Sequence, residues 1–154
     1  MKQKYLKMAM LPSVFNSNEH EKMADFEPIP ENLYMLEIVK SELKENSKKT
    51  GKILKLQMKV IDENGKYAGR LIFVDLNMVN PNIECVQIAQ RELASICAAC
   101  GLEMIEDSVE LHNIPFIAKV GIKAADAGWP AKNSIRKYIN IDEMPDGYNP
   151  ELKD

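Results

Sequence analysis

The chain has 154 residues, of which 45% are hydrophobic and 28% charged, and its formal net charge is −3. That length supports one domain with its own core, and the composition excludes the fibrous and intrinsically disordered classes. It also excludes a uniformly basic polyanion binder, so any such site must gather its cations locally. No apolar run reaches the ~20 residues of a membrane-spanning helix.

Residues 1–32 read as a leader or arm. Met1-Lys2-Gln3-Lys4-Tyr5-Leu6 is basic but lacks the apolar core and cleavage site of a signal peptide, which points to a cytoplasmic protein. Asn16 to Lys22 is polar and aperiodic, hence loop. Pro28-Ile29-Pro30 imposes extended backbone before the first strand. From Leu33 to Leu43 apolar residues occupy both parities, as in a long strand curling through both sides of a small barrel. A turn cluster, Glu45 to Gly51, leads to the clearest strand. There Leu54, Leu56, Met58 and Val60 alternate with Lys55, Gln57 and Lys59, so one face is core and the other wet. Asn64-Gly65 favours a tight turn. A third strand follows from Arg70 to Leu76, apolar in both parities at Ile72, Phe73 and Val74.

Asn80-Pro81-Asn82 opens a helix, with Asn80 as cap and Pro81 in the first helical position, where its missing amide costs nothing. Val86, Ala89, Leu93, Ile96, Cys97 and Cys100 form one stripe, and Gly101 ends the helix. A short turn fits residues 106–111. A fourth strand alternates Phe116, Ala118, Val120 and Ile122 with Ile117, Lys119, Gly121 and Lys123. After a loop with Gly128-Trp129-Pro130, a fifth strand sets Ile135, Lys137, Ile139 and Ile141 against Arg136, Tyr138 and Asn140. Residues 142–154 read as an acidic, loosely packed tail.

This order, β-β-β-α-β-β, is that of an OB-like fold: a mainly β, five-stranded barrel with one helix, here spanning 33–141. Such folds bind oligonucleotides or oligosaccharides with two loops and the face of the second and third strands.

The three cysteines, Cys85, Cys97 and Cys100, are read as reduced thiols. Cys97 and Cys100 sit on the apolar stripe, which favours packing over redox or zinc chemistry. A zinc site would need further ligands from Cys85, His20 and His112, at irregular spacing. No phosphate loop or nucleophile elbow is present, and neither histidine has a Ser or Cys partner at recognisable spacing. The expectation is therefore a non-enzymatic protein with no cofactor and no metal.

The positive signal is a set of cations and rings that the OB layout would bring together. Lys48, Lys49 and Lys52 occupy the first loop, Lys55 and Lys59 the wet face of the second strand, and Arg70 the start of the third. Lys123, Trp129 and Lys132 surround the loop between the last two strands, and Arg136 and Tyr138 share one parity of the fifth. Single-stranded nucleic acid needs such cations for phosphates and rings for base stacking. Lysines on a wet strand face are also an ordinary solvated surface that blocks edge pairing. Trp129 reads equally as a packing residue or a platform. Phe73 reads as core, and Tyr138 as the better platform.

Several segments resemble a phage and prophage family catalogued as a domain of unknown function. They are Phe26-Glu27-Pro28-Ile29-Pro30 with Tyr34, Gly69-Arg70 with Leu76-Asn77, Asn80-Pro81-Asn82, Ala89 with Arg91-Glu92-Leu93, Glu110-Leu111-His112-Asn113, and Lys119-Val120-Gly121. The resemblance covers roughly residues 26–141. It implies a role beside recombination or replication proteins in a bacterial host, where some members are labelled single-stranded-DNA-binding. The expected function is single-stranded DNA binding with little sequence preference, with an oligomer compatible. The rival is an OB-like adaptor that docks a replication or recombination partner without touching DNA. A hydrolase or nuclease accessory is a weaker third.

Overall fold

The computed structural model describes residues 10–16, 18, 27–62, 65–126, 128–145 and 148. Its elements are β1 (Asn32–Glu45), β2 (Lys52–Val60), β3 (Leu71–Val79), α1 (Ile83–Ala99), β4 (Phe116–Lys123) and β5 (Lys132–Ile139). Two 3-10 turns are added, Ser108–Leu111 before β4 and Ile141–Glu143 after β5; the second was not anticipated. All five strands form one antiparallel sheet ordered β3-β2-β1-β4-β5. The sheet is not closed by hydrogen bonds, so the expected barrel is observed as an open sheet. Its two edges, β3 and β5, nevertheless approach each other to within 8 Å between some Cα atoms.

The alternation of β2 and β3 builds half of the core. Leu54, Leu56, Met58 and Val60 are buried from one strand, and Ile72, Val74 and Leu76 from the other. Each such side chain contributes about 1.5–3 kcal/mol when fully withdrawn from water. Tyr34, Leu36 and Ile38 face the same core from β1. The pairing then slips: Ile38 lies opposite Met58, but Lys40 lies opposite Gln57. This β-bulge inserts one residue and switches the parity. Ser41 is thereby turned to the core side, opposite Leu56, where its Oγ lies 2.7 Å from His112 Nε2 and 2.6 Å from Ser108 Oγ.

Helix α1 packs against β3 and β5 and buries Ala89, Ile96 and Ala99, with Leu93 and Cys97 half-buried against the core. Its cap is Asn82, not Asn80: Asn82 Oδ1 accepts from the amides of Glu84 (3.0 Å) and Cys85 (3.4 Å). Asn80 Oδ1 instead accepts from Asn82 N at 2.8 Å, so an Asx turn precedes the cap. Pro81 therefore lies outside the helix. Gly101, at φ 76°, ends it as expected.

The β2–β3 connection runs from Ile61 to Arg70, with Gly65 N donating to Asp62 O at 2.9 Å; Asn64 of the expected Asn64-Gly65 turn lies outside the described residues. His20 also lies outside them. Both flanks of the 33–141 segment contribute to packing. Ile29 is buried, and Asn133 clamps its backbone, accepting from Ile29 N and donating to Ile29 O at 2.9 Å each. Within the acidic tail, Tyr148 is buried and its hydroxyl donates to the carboxylate of Asp62, which also accepts from Met35 N. A loosely packed tail would not supply that contact; a buried carboxylate needs such donors to offset its lost hydration.

Candidate nucleic-acid interface

Because Ile72, Val74 and Leu76 point inward, Leu71, Phe73 and Asp75 must point outward. Phe73 is 64% exposed. This corrects the expectation that it belongs to the core: a run apolar in both parities hides which parity is wet. The β2–β3 register sets Lys59 beside Leu71, Gln57 beside Phe73 and Lys55 beside Asp75. A ring thus lies on an open sheet face among long cationic side chains.

Phe73 also lines a cleft of about 410 Å³ at the open β3–β5 seam, together with Arg70, Leu71, Asp75, Lys132 and Asn133. Arg70 is held there by a 2.8 Å bond from its guanidinium to Glu27 O. Lys132 also lines a second hollow, of about 510 Å³, with Lys123, Asp126, Trp129 and Pro130. The two hollows therefore share a lysine.

Trp129 is 77% exposed, which decides between the two readings of this residue in favour of an open ring. It ends a tight turn closed by reciprocal backbone bonds, Asp126 N to Trp129 O (3.0 Å) and Trp129 N to Asp126 O (2.7 Å), with Gly128 at φ 83°. A two-residue loop with glycine in the left-handed region holds the indole on a short lever instead of a floppy one.

Tyr138 is not on this surface. Lys119 pairs with Lys137 but Val120 pairs with Ile135, so Arg136 is the extra residue of a second bulge. The bulge switches the parity of β5 and sends Ile135 and Tyr138 to the same, inner side. There the Tyr138 ring packs on Phe116 with centroids 5.8 Å apart, and its hydroxyl donates to Glu92 Oε2 on α1 at 2.6 Å. Burial and the Glu92 carboxylate push its ionisation well above the ordinary tyrosine range. Tyr138 fixes the helix to the sheet and is not a base platform.

The cations divide into groups. Among the described residues the ion pairs are Lys55–Asp75 at 3.2 Å and Arg136–Glu31 at 2.9 Å. These two cations are already partly neutralised, whereas Lys59, Lys123 and Lys132 have no ion pair there. Lys48, Lys49 and Lys52 sit at the other end of the β2–β3 hairpin. Lys52 pairs with Val79 while Lys59 pairs with Leu71, which separates that loop from the seam by ~25 Å of strand. That loop is closed by its own contacts: Asn46 Oδ1 accepts from Thr50 N at 2.9 Å, and Lys49 sits at φ 56°.

Chemistry elsewhere points to packing. Cys100 is buried and its thiol pushed up to about 11 by burial, with the neighbouring Cys97 adding; Cys97 is raised by burial as well. Neither is poised as a thiolate ligand or nucleophile. Among the described residues no three His, Cys, Asp or Glu side chains gather as a metal site, and no helix is long and apolar enough to cross a membrane.

A family model described as a protein of unknown function (DUF669) matches residues 14–148. The chain belongs to that family. The match takes in part of the leader and reaches Tyr148, in keeping with the structural contributions of Ile29 and Tyr148 to the folded body. No curated protein matches the chain.

Proposed function

We propose that this protein is an OB-like module that binds single-stranded DNA with little sequence preference at the β3–β5 seam. The carrying observation is the pairing of two exposed rings, Phe73 and Trp129, with Arg70, Lys123 and Lys132 along two hollows that share a lysine. Stacking on such rings needs unpaired bases, because duplex bases cover one another's faces. The OB-like description rests on the strand order and on the approach of the β3 and β5 edges, which curls the sheet towards a barrel with one seam left open. Binding is passive: phosphates displace their counterions onto the cations while bases stack. A phage or prophage replication or recombination setting comes from the sequence motifs alone.

A second reading, an adaptor that docks a partner protein, is favoured by exposed Leu71 on the outer side of β3, by exposed Val79 at the strand's end and by the acids among the cations. Fluorescence anisotropy with labelled oligo-dT and duplex DNA at two salt concentrations separates the two. Three or four phosphate contacts should give a log–log salt slope of about −2 to −3 for the single strand. Quenching of Trp129, the single tryptophan, should accompany it. No binding at low salt would favour the adaptor, and equal affinity for duplex would overturn the single-strand reading.

A further inference from the structure

We propose that Asp75 makes the β3 face favour cytosine over thymine, an inference that rests on the single-strand reading above. Phe73 and Asp75 are alternate residues of β3, so both project from the outer face, ~7 Å apart along the strand, and both line the cleft. The Asp75 side chain is 54% exposed, and Lys55 Nζ holds its Oδ2 at 3.2 Å. That ion pair orients the carboxylate and leaves Oδ1 to accept another donor.

A pyrimidine stacked on Phe73 extends its substituted edge about as far as the neighbouring outward position. Cytosine and thymine match in ring size, so stacking treats them alike. Besides thymine's N3–H and 5-methyl they differ at C4, the position set towards Asp75, where cytosine carries an amino donor and thymine a carbonyl acceptor. A carboxylate accepts from the cytosine amine and repels the thymine oxygen. Asp75 also places a negative charge in a cleft meant for a polyanion, which general phosphate binding does not explain. Base-edge recognition gives that charge a role, and Lys55 offsets its repulsion of the backbone.

The test compares oligo-dC and oligo-dT of about 12 nucleotides by anisotropy at neutral pH, where cytosine is unprotonated. The wild-type protein should bind oligo-dC about three- to tenfold more tightly. Asp75→Asn, which can offer its amide to thymine, and Asp75→Ala, which offers nothing, should both bring the ratio close to one. If the wild-type ratio is already one and both variants bind both oligonucleotides more tightly, Asp75 only repels phosphate and the proposal is overturned. A preference that survives Asp75→Ala overturns it too, and assigns discrimination to another residue. In both cases binding itself persists and the single-strand reading stands. If neither oligonucleotide binds the wild-type protein, both fall together.

Discussion

Replacing Phe73 with Ala separates a ring used for binding from a ring used for packing. Phe73 keeps only about a third of its surface out of water, since it is 64% exposed. A phenylalanine has roughly 200 Å² to bury, so about 70 Å² is lost on truncation, worth ~1.7 kcal/mol at ~25 cal/mol/Å². A realistically compact unfolded state lowers that to ~1 kcal/mol. Loss of a stacking platform costs ~1–3 kcal/mol per base, or about 5- to 150-fold in affinity. Phe73→Ala should therefore leave a cooperative urea transition shifted by no more than ~1 kcal/mol, while oligo-dT binding by anisotropy at low salt falls at least fivefold. The salt slope should stay as in the wild type, because no cation has been removed. Unchanged affinity in a folded variant would refute the argument, as would a stability loss above ~3 kcal/mol, which belongs to a core residue.

Tyr138→Phe should show the reverse pattern: removing the 2.6 Å bond to Glu92 should cost about 1–2 kcal/mol in urea denaturation with no change in DNA affinity. Lys132→Ala should flatten the salt slope by about 0.7, whereas Lys48→Ala with Lys49→Ala, ~25 Å from the seam, should leave binding of a hexanucleotide unaltered. Gly51→Ala should destabilise the fold by more than ~2 kcal/mol in the same denaturation assay, because the new Cβ would lie 1.9 Å from the Val79 carbonyl oxygen and backbone must move. Burial raises Tyr34 to about 12 and, with Cys97 nearby, Cys100 to about 11. Raised values mean that the stability these groups contribute is fully present below their unfolded ionisation and is lost as pH climbs from there through the raised folded value. Denaturation at pH ~10.5 should thus give about 2–3 kcal/mol less stability than at pH ~8, with Tyr138 and Tyr148 acting in the same direction.

The strand order, the helix with its inward stripe and Gly101 stop, and the wet lysines of β2 were legible in the sequence. Each follows from a local periodicity or a backbone preference that neighbours do not overrule. The faces of β3 and β5 were not legible. In β3, Ile72, Phe73 and Val74 are all apolar, so only the pairing of Ile72 with Met58 and of Val74 with Leu56 decides that Phe73 is the outward member. In β5 the alternation is readable, but the bulge at Arg136 shifts it by one residue and carries Tyr138 inward. Such an insertion is a property of the pair of strands, because only the partner's hydrogen bonds define which residue is extra. The same holds for charge: Lys55 and Arg136 look alike to Lys123 and Lys132 in the sequence, and only folding brings Asp75 and Glu31 against the first two. Sequence determined which residue types were available for a nucleic-acid face; contacts between distant segments decided which of them reach it.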